Sequence, residues 1–158
     1  MLCNTCGHLK KMHPHKRLQT QLEADTLLDC GLELCVHQDR IGNAFGDAHP
    51  AGASSWTRST MMAPTHKRGV NQAALDMCRC GLCFPFDQSP ICQRTCWLSN
   101  RSAVSYPFHN QYCQCLGPHR TIQGHEDGLR LCTFCQDDTD MICAALVNTV
   151  KNELRSVI

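Results

Sequence analysis

The chain has 158 residues, of which 14 are Cys and 9 are His, so about one residue in seven can ligate a metal ion. Charged residues make up 18%, the formal net charge is +1 and the pI is about 7.5, which gives no whole-molecule pull toward nucleic acid or an anionic membrane. This balance excludes an integral membrane protein, a coiled coil along the whole chain, a collagen-like repeat and a highly charged disordered tail.

The supply of large apolar residues is thin. Leu, Ile, Val and Phe together make up about 20% of the chain. Ordering the backbone costs roughly 1 to 2 kcal/mol per residue and a buried Leu or Phe returns about 1.5 to 3, so one such residue in five does not order every segment by itself. The expectation is a small Cys/His-rich, irregular, loop-rich fold with few short helices, one C-terminal amphipathic helix and substantial disorder.

In chain order, residues 1–20 form a basic, His-rich arm in which His8, His13 and His15 stand among Lys10, Lys11, Lys16 and Arg17. Residues 21–46 form a helical segment on the recurrence of Leu18, Leu22, Leu28, Leu32 and Val36, weakened by Leu27 and Leu34 on the opposite side and by Gly31, which costs about 1 kcal/mol relative to Ala. Residues 47–75, rich in Pro, Gly, Ala, Ser and Thr, read as a flexible linker. Residues 76–136 read as a Cys-rich loop unit shaped by Phe84, Pro85, Phe86, Phe108 and Phe134, with too little period-two alternation to define a strand.

Residues 137–158 carry the clearest pattern. At about 100° per residue, Ile142, Cys143, Leu146, Val147, Val150, Leu154, Val157 and Ile158 fall in one arc of roughly 160°, interrupted only by Glu153. Asp137, Asp138 and Asp140 at the start and Lys151 and Arg155 near the end complement the helix dipole. An apolar helix face of this kind packs on the chain's own core or serves a protein partner or self-association through residues 142–158.

The cysteines form three C-x2-C pairs, Cys3 with Cys6, Cys80 with Cys83 and Cys132 with Cys135, and two C-x-C pairs, Cys78 with Cys80 and Cys113 with Cys115. Zinc takes about four soft or borderline ligands in a tetrahedron, and a knuckle of two closely spaced cysteines supplies half of them. Cys113, Cys115, Cys132 and Cys135 match a two-knuckle layout best, with His119 and His125 as alternates between them. A second site could draw on Cys3, Cys6, Cys30 and Cys35. The run CNTCGHLKKMHPH does not fit a two-cysteine, two-histidine finger, because its His spacing is wrong. The central set, Cys78, Cys80, Cys83, Cys92 and Cys96, has density without a decisive pattern.

Phosphate-loop, dinucleotide, zinc-protease and serine-hydrolase signatures are all missing, so the expected activity is not enzymatic. The N-terminus lacks the apolar run of a secretory signal and the longest apolar run, residues 141–147, is far short of the roughly 20 residues a span needs, which points to a cytoplasmic or nuclear chain with reduced thiols. The reading is a small binding or interaction protein stabilised by structural zinc. Nucleic acid is the weaker partner, met if at all by Lys10, Lys11, Lys16 and Arg17. The alternatives are an extracellular disulfide-rich protein and a recently arisen open reading frame product with no defined biochemical activity.

Overall fold

The computed structural model describes residues 12–120, 125–126, 129–130 and 140–156. Helix α1 (Pro14–Arg40) begins with a proline in its first turn, where the missing N–H costs nothing. It ends in a Schellman motif: Gly42, at φ +82°, donates to the Asp39 carbonyl, and Asn43 donates to that of Gln38. His37 and Arg40 in the last turn complement the dipole.

After α1 come β1 (Gly46–Pro50), a 3-10 turn (Ser54–Thr57), the short helix α2 (Ser59–Thr65) and β2 (Asn71–Asp76). A second 3-10 turn (Met77–Cys80) leads through the Cys-rich loops to β3 (Arg94–Ser99), helix α3 (Ser102–Ser105) and a third 3-10 turn (Tyr106–Phe108). Strands β4 (His125–Glu126) and β5 (Leu129–Arg130) pair antiparallel, and α4 (Asp140–Ser156) closes the chain.

The main sheet is antiparallel in the order β1-β3-β2, so the last strand to appear is the central one. Trp97 stands between Ala48 and Ala73 on the neighbouring strands, two small residues that leave room for the indole, and it stacks on Phe108 at 4.8 Å between ring centroids. Successive strand residues face opposite ways. The Trp97 face joins Leu75, Met77, Cys80, Leu82, Phe84, Ile91, Phe108 and Ile142 of α4 in the larger core cluster, and the Leu98 face joins Leu32 of α1, Phe45 and Met61 of α2 in the smaller.

Two polar clamps hold α1 to this frame. Arg58 binds Asp25 and Asp29 of α1 at 2.8 and 2.9 Å. Asp39 accepts from Asn100 at 2.8 Å and pairs with Lys67, which together hold its carboxyl below the usual carboxylate range, the Lys67 hydrogen bond contributing most. Asn100 also accepts the Phe45 N–H and donates to the Asn43 carbonyl, so its side chain joins three segments of the fold.

The irregular, loop-rich and substantially disordered fold expected from composition is corrected by this architecture, a mixed α/β arrangement of helices on both faces of a three-stranded sheet. The reason is economy of placement. One strand buried on both faces lets few large side chains serve two clusters, and buried Cys80 and Cys96 act as apolar filler. Residues 47–75, read as a linker, hold α2 and most of β1 and β2, with Met61, Ala73 and Leu75 buried. The helix read over 21–46 runs over Pro14–Arg40. In α4, Ile142 is buried, Ala145 and Leu146 pack on the larger cluster and Thr149 donates to the Ala103 carbonyl at 3.3 Å, so this side of the amphipathic arc faces the chain's own core. Among the described residues no helix is long and apolar enough to cross a membrane.

Leu98→Ala is expected to cost about 2 to 5 kcal/mol, from lost transfer energy and the cavity left in the smaller cluster. Leu116→Ala, on a fully exposed side chain, should stay within about 0.5 kcal/mol. Equilibrium denaturant unfolding of both variants checks the contrast.

Candidate metal centre

The centre is built where β2 ends. Asp76, the last residue of β2, is opposite Arg94, the first of β3, and its side chain is 3% exposed. Arg94 donates Nε to Oδ1 at 2.8 Å and Nη2 to Oδ2 at 3.0 Å, and the Cys113 backbone N–H donates to Oδ2 at 2.9 Å. These donors hold the Asp76 carboxyl below its ordinary range, the Arg94 hydrogen bond first among them. The Asp76 N–H meanwhile donates to the Gln111 carbonyl at 2.8 Å, and Arg94 lies over the Tyr112 ring at 5.5 Å.

Asp76 therefore ties the stretch from 111 to 113 to the sheet. Beyond it, the chain as far as His119 has no helix or strand. Its far end is tied by Arg120, whose N–H donates to the Pro90 carbonyl at 2.9 Å, whose guanidinium pairs with Asp87 at 2.8 Å and whose charge sits 4.4 Å from the Phe84 ring centroid. Asp87 is held down to about 2, first by the Ser89 N–H and then by Arg120. Immediately after Asp76, the 3-10 turn Met77–Cys80 turns Cys78 toward the same stretch and ends at Gly81, whose φ of +88° suits only glycine well.

The result is a cluster of Cys78, Cys113, Cys115 and His119, with one ligand atom from each lying within 4.8 Å of the others. A tetrahedral zinc with about 2.3 Å sulfur bonds needs edges of about 3.8 Å, so closure asks for only a small contraction. Cys113 Sγ is already 3.2 Å from His119 Nε2, and the Cys115 N–H points at Cys113 Sγ at 3.4 Å. That N–H, followed by the Cys78 thiol, holds the Cys113 thiol below its ordinary value. Burial and then the neighbouring Cys113 and Cys115 sulfurs push the Cys78 thiol up. A thiol set beside a second sulfur in this way is an arrangement in which a cation would take the place of the shared proton. Cys92, outside the four, is exposed. The four residues could hold a metal ion, and three sulfurs with one imidazole favour a soft or borderline one.

Of the site read from sequence, Cys113, Cys115 and the alternate His119 come together here, while Cys132 and Cys135 lie outside the described residues and His125 falls in β4. Cys78 is the ligand that spacing did not select. It is 35 residues from Cys113, and its sequence signals were a C-x-C pair with Cys80 and membership of the dense central set. For the second set, Cys3 and Cys6 lie outside the described residues. Cys30 and Cys35 are on different sides of α1, Cys30 exposed and Cys35 packed against the smaller cluster, where burial and then Asp47 push its thiol up to about 11. Lys16 and Arg17 are exposed in the first turns of α1, and Lys10 and Lys11 lie outside the described residues. The ten described cysteines form no disulfide with one another.

A helix-flanked three-stranded sheet carrying a three-cysteine, one-histidine centre is thus the class that fold and site define. No family model matches the chain, no curated protein matches it and no solved structure matches its fold.

Asp76→Ala leaves every ligand in place and removes the anchor of Cys113. It should weaken metal affinity by about 10-fold to 100-fold, the range seen for groups that orient ligands, as read by competition with a chromogenic chelator.

Proposed function

We propose that this chain is a small, non-enzymatic binding protein whose Cys-rich half is fastened by one structural zinc ion on Cys78, Cys113, Cys115 and His119. The observation that supports it is the convergence of these four donors from two segments that the sheet and the Asp76 clamp bring together. Four protein ligands fill a zinc tetrahedron, leaving no open position for water or substrate, which is the pattern of a structural site and not of a catalytic one. Zinc suits this donor set, because three thiolates and one imidazole in a closed tetrahedron are a usual structural zinc site. The role of the ion would be to fix a loop that has no backbone ladder of its own, and function would lie in the surface so fixed. A protein partner suits the near-neutral charge better than nucleic acid, for which the four cations at residues 10–17 are a small footprint.

The test is metal analysis on protein purified under reducing conditions. One zinc per chain is expected, with an apparent binding free energy of about 10 to 16 kcal/mol. Cobalt in its place should show the absorption of a tetrahedral thiolate site. Cys78→Ser and His119→Ala should each lower affinity and lower the melting temperature of the zinc form. Cys132→Ser, Cys135→Ser and Cys92→Ser should keep both. Loss of the ion in the Cys132 and Cys135 variants with retention in Cys78→Ser would instead assign the two-knuckle set, and absence of bound metal with unchanged folding in chelator would remove the proposal.

A further inference from the structure

We propose that the outer face of α1 is an interface between two copies of this chain, packed antiparallel about a two-fold axis. The inference stands apart from the metal centre and rests on α1 being apolar on two sides. Leu28, Leu32 and Cys35 turn into the smaller core cluster. On the far side, Leu27, Leu34 and the C-cap residue Ile41 are 75%, 59% and 54% exposed, and Cys30 is exposed with them. At about 100° per residue these four fall within an arc of about 60°. Scattered exposed leucines are ordinary on a protein surface, but these follow a rule.

The rule is the heptad. Leu27, Leu34 and Ile41 are seven residues apart, Cys30 follows Leu27 by three, and His37 takes the equivalent place after Leu34. A stripe of that period is the narrow seam of a helix pair, and a single polar residue within it fixes register. Leu18 and Leu22, also exposed, lie on another side of the helix and take no part.

The charges beside the seam point to the occupant. Glu33 and Arg40 flank it on one edge, both exposed and neither in an ion pair among the described residues. They are seven residues apart, about 10 Å along the helix, too far to meet each other within one chain. In an antiparallel pair centred between them, Glu33 of each copy faces Arg40 of the other, so the contact forms twice. The seam then brings Cys30 and Ile41, and Leu34 and His37, of opposite copies to within two residues of each other, about 3 Å along the helix. A patch complementary to itself under a two-fold rotation is what an isologous dimer requires, and an unrelated partner would give no reason for this symmetry of charge.

Sedimentation equilibrium of the full chain, purified with zinc, tests the proposal. A reversible monomer–dimer equilibrium is expected. Leu34→Asp should shift it to monomer, and Leu18→Asp, on the other side of α1, should leave it unchanged. Glu33→Arg or Arg40→Glu alone should raise the dimer dissociation constant by about tenfold or more, because like charges then meet twice, and the double variant E33R/R40E should restore the dimer. The exchange of charges decides the matter even if Leu34→Asp does not fold, since neither residue is buried. A chain that stays monomeric overturns the proposal. It does so whether Cys30 reacts quickly with a thiol reagent, marking an open face or one kept for another partner, or slowly, marking a face covered by the chain's own residues. A dimer untouched by the single exchanges, or one that the double variant does not restore, also overturns it.

Discussion

The carboxylate of Asp76 is buried at a point where three parts of the chain must agree. Left without partners, a carboxylate taken out of water would cost several kcal/mol, so its burial is tolerable only because its lone pairs are filled. Arg94, itself half exposed, supplies two of the donors at little desolvation cost, since the guanidinium keeps much of its hydration. The third donor is the Cys113 backbone N–H, and through it a side chain at the end of β2 sets the path of a segment more than thirty residues later. The pairing of β2 with β3 is what places Arg94 opposite Asp76, so strand register and ligand geometry are coupled. A slip of that register by one residue would turn Trp97 and Leu98 to the wrong faces and take the anchor from Cys113 together.

That coupling explains how a chain poor in large apolar residues has a folded frame. The larger cluster is extended by sulfur-bearing and aromatic side chains from the Cys-rich loops, Met77, Cys80, Phe84 and Phe108 among them, so the loops are core material on one side and ligand supports on the other. Cys80 and Cys78 make the division plain. They are two residues apart in one turn, yet Cys80 is buried in the apolar cluster with its thiol pushed up by burial, while Cys78 faces the other sulfurs. The cysteine count thus mixes two uses, packing and ligation, that composition cannot separate.

The same mixing marks what the sequence made legible. The helical character of residues 140–156 was plain, because an apolar stripe repeats every third or fourth residue over several turns. Cys113, Cys115 and His119 stood out because they are close in sequence, and local spacing is what motif reasoning sees. Cys78 did not stand out, since its place in the cluster depends on the pairing of β2 with β3 and not on its neighbours. The sheet was hidden for a related reason. β3, with the sequence RTCWLS, is buried on both faces and so shows no alternation, while β1, GDAHP, and β2, NQAALD, hold Ala, Gly, Asp and Pro that local propensity assigns to loops. In both strands the alanines are chosen by the indole they flank, a tertiary constraint with no local signature.

Placement of the two chemically active regions follows from the sheet. The cysteine and histidine donors gather with the loops of the Trp97 face, where α4 also packs, and α1 covers the Leu98 face with its heptad stripe turned away from the core. A dimer through α1 would therefore leave the loops of the candidate metal centre unobstructed by the helix that joins the copies. It would also shield Leu34 and Ile41, apolar area that the Schellman end and the Arg58 and Asp39 clamps hold in helical form without covering. A helix kept by its clamps at one side and by a second copy at the other needs little from its own propensity. That fits an α1 with Gly31 in its interior and neither a capping side chain nor an acidic residue at its start.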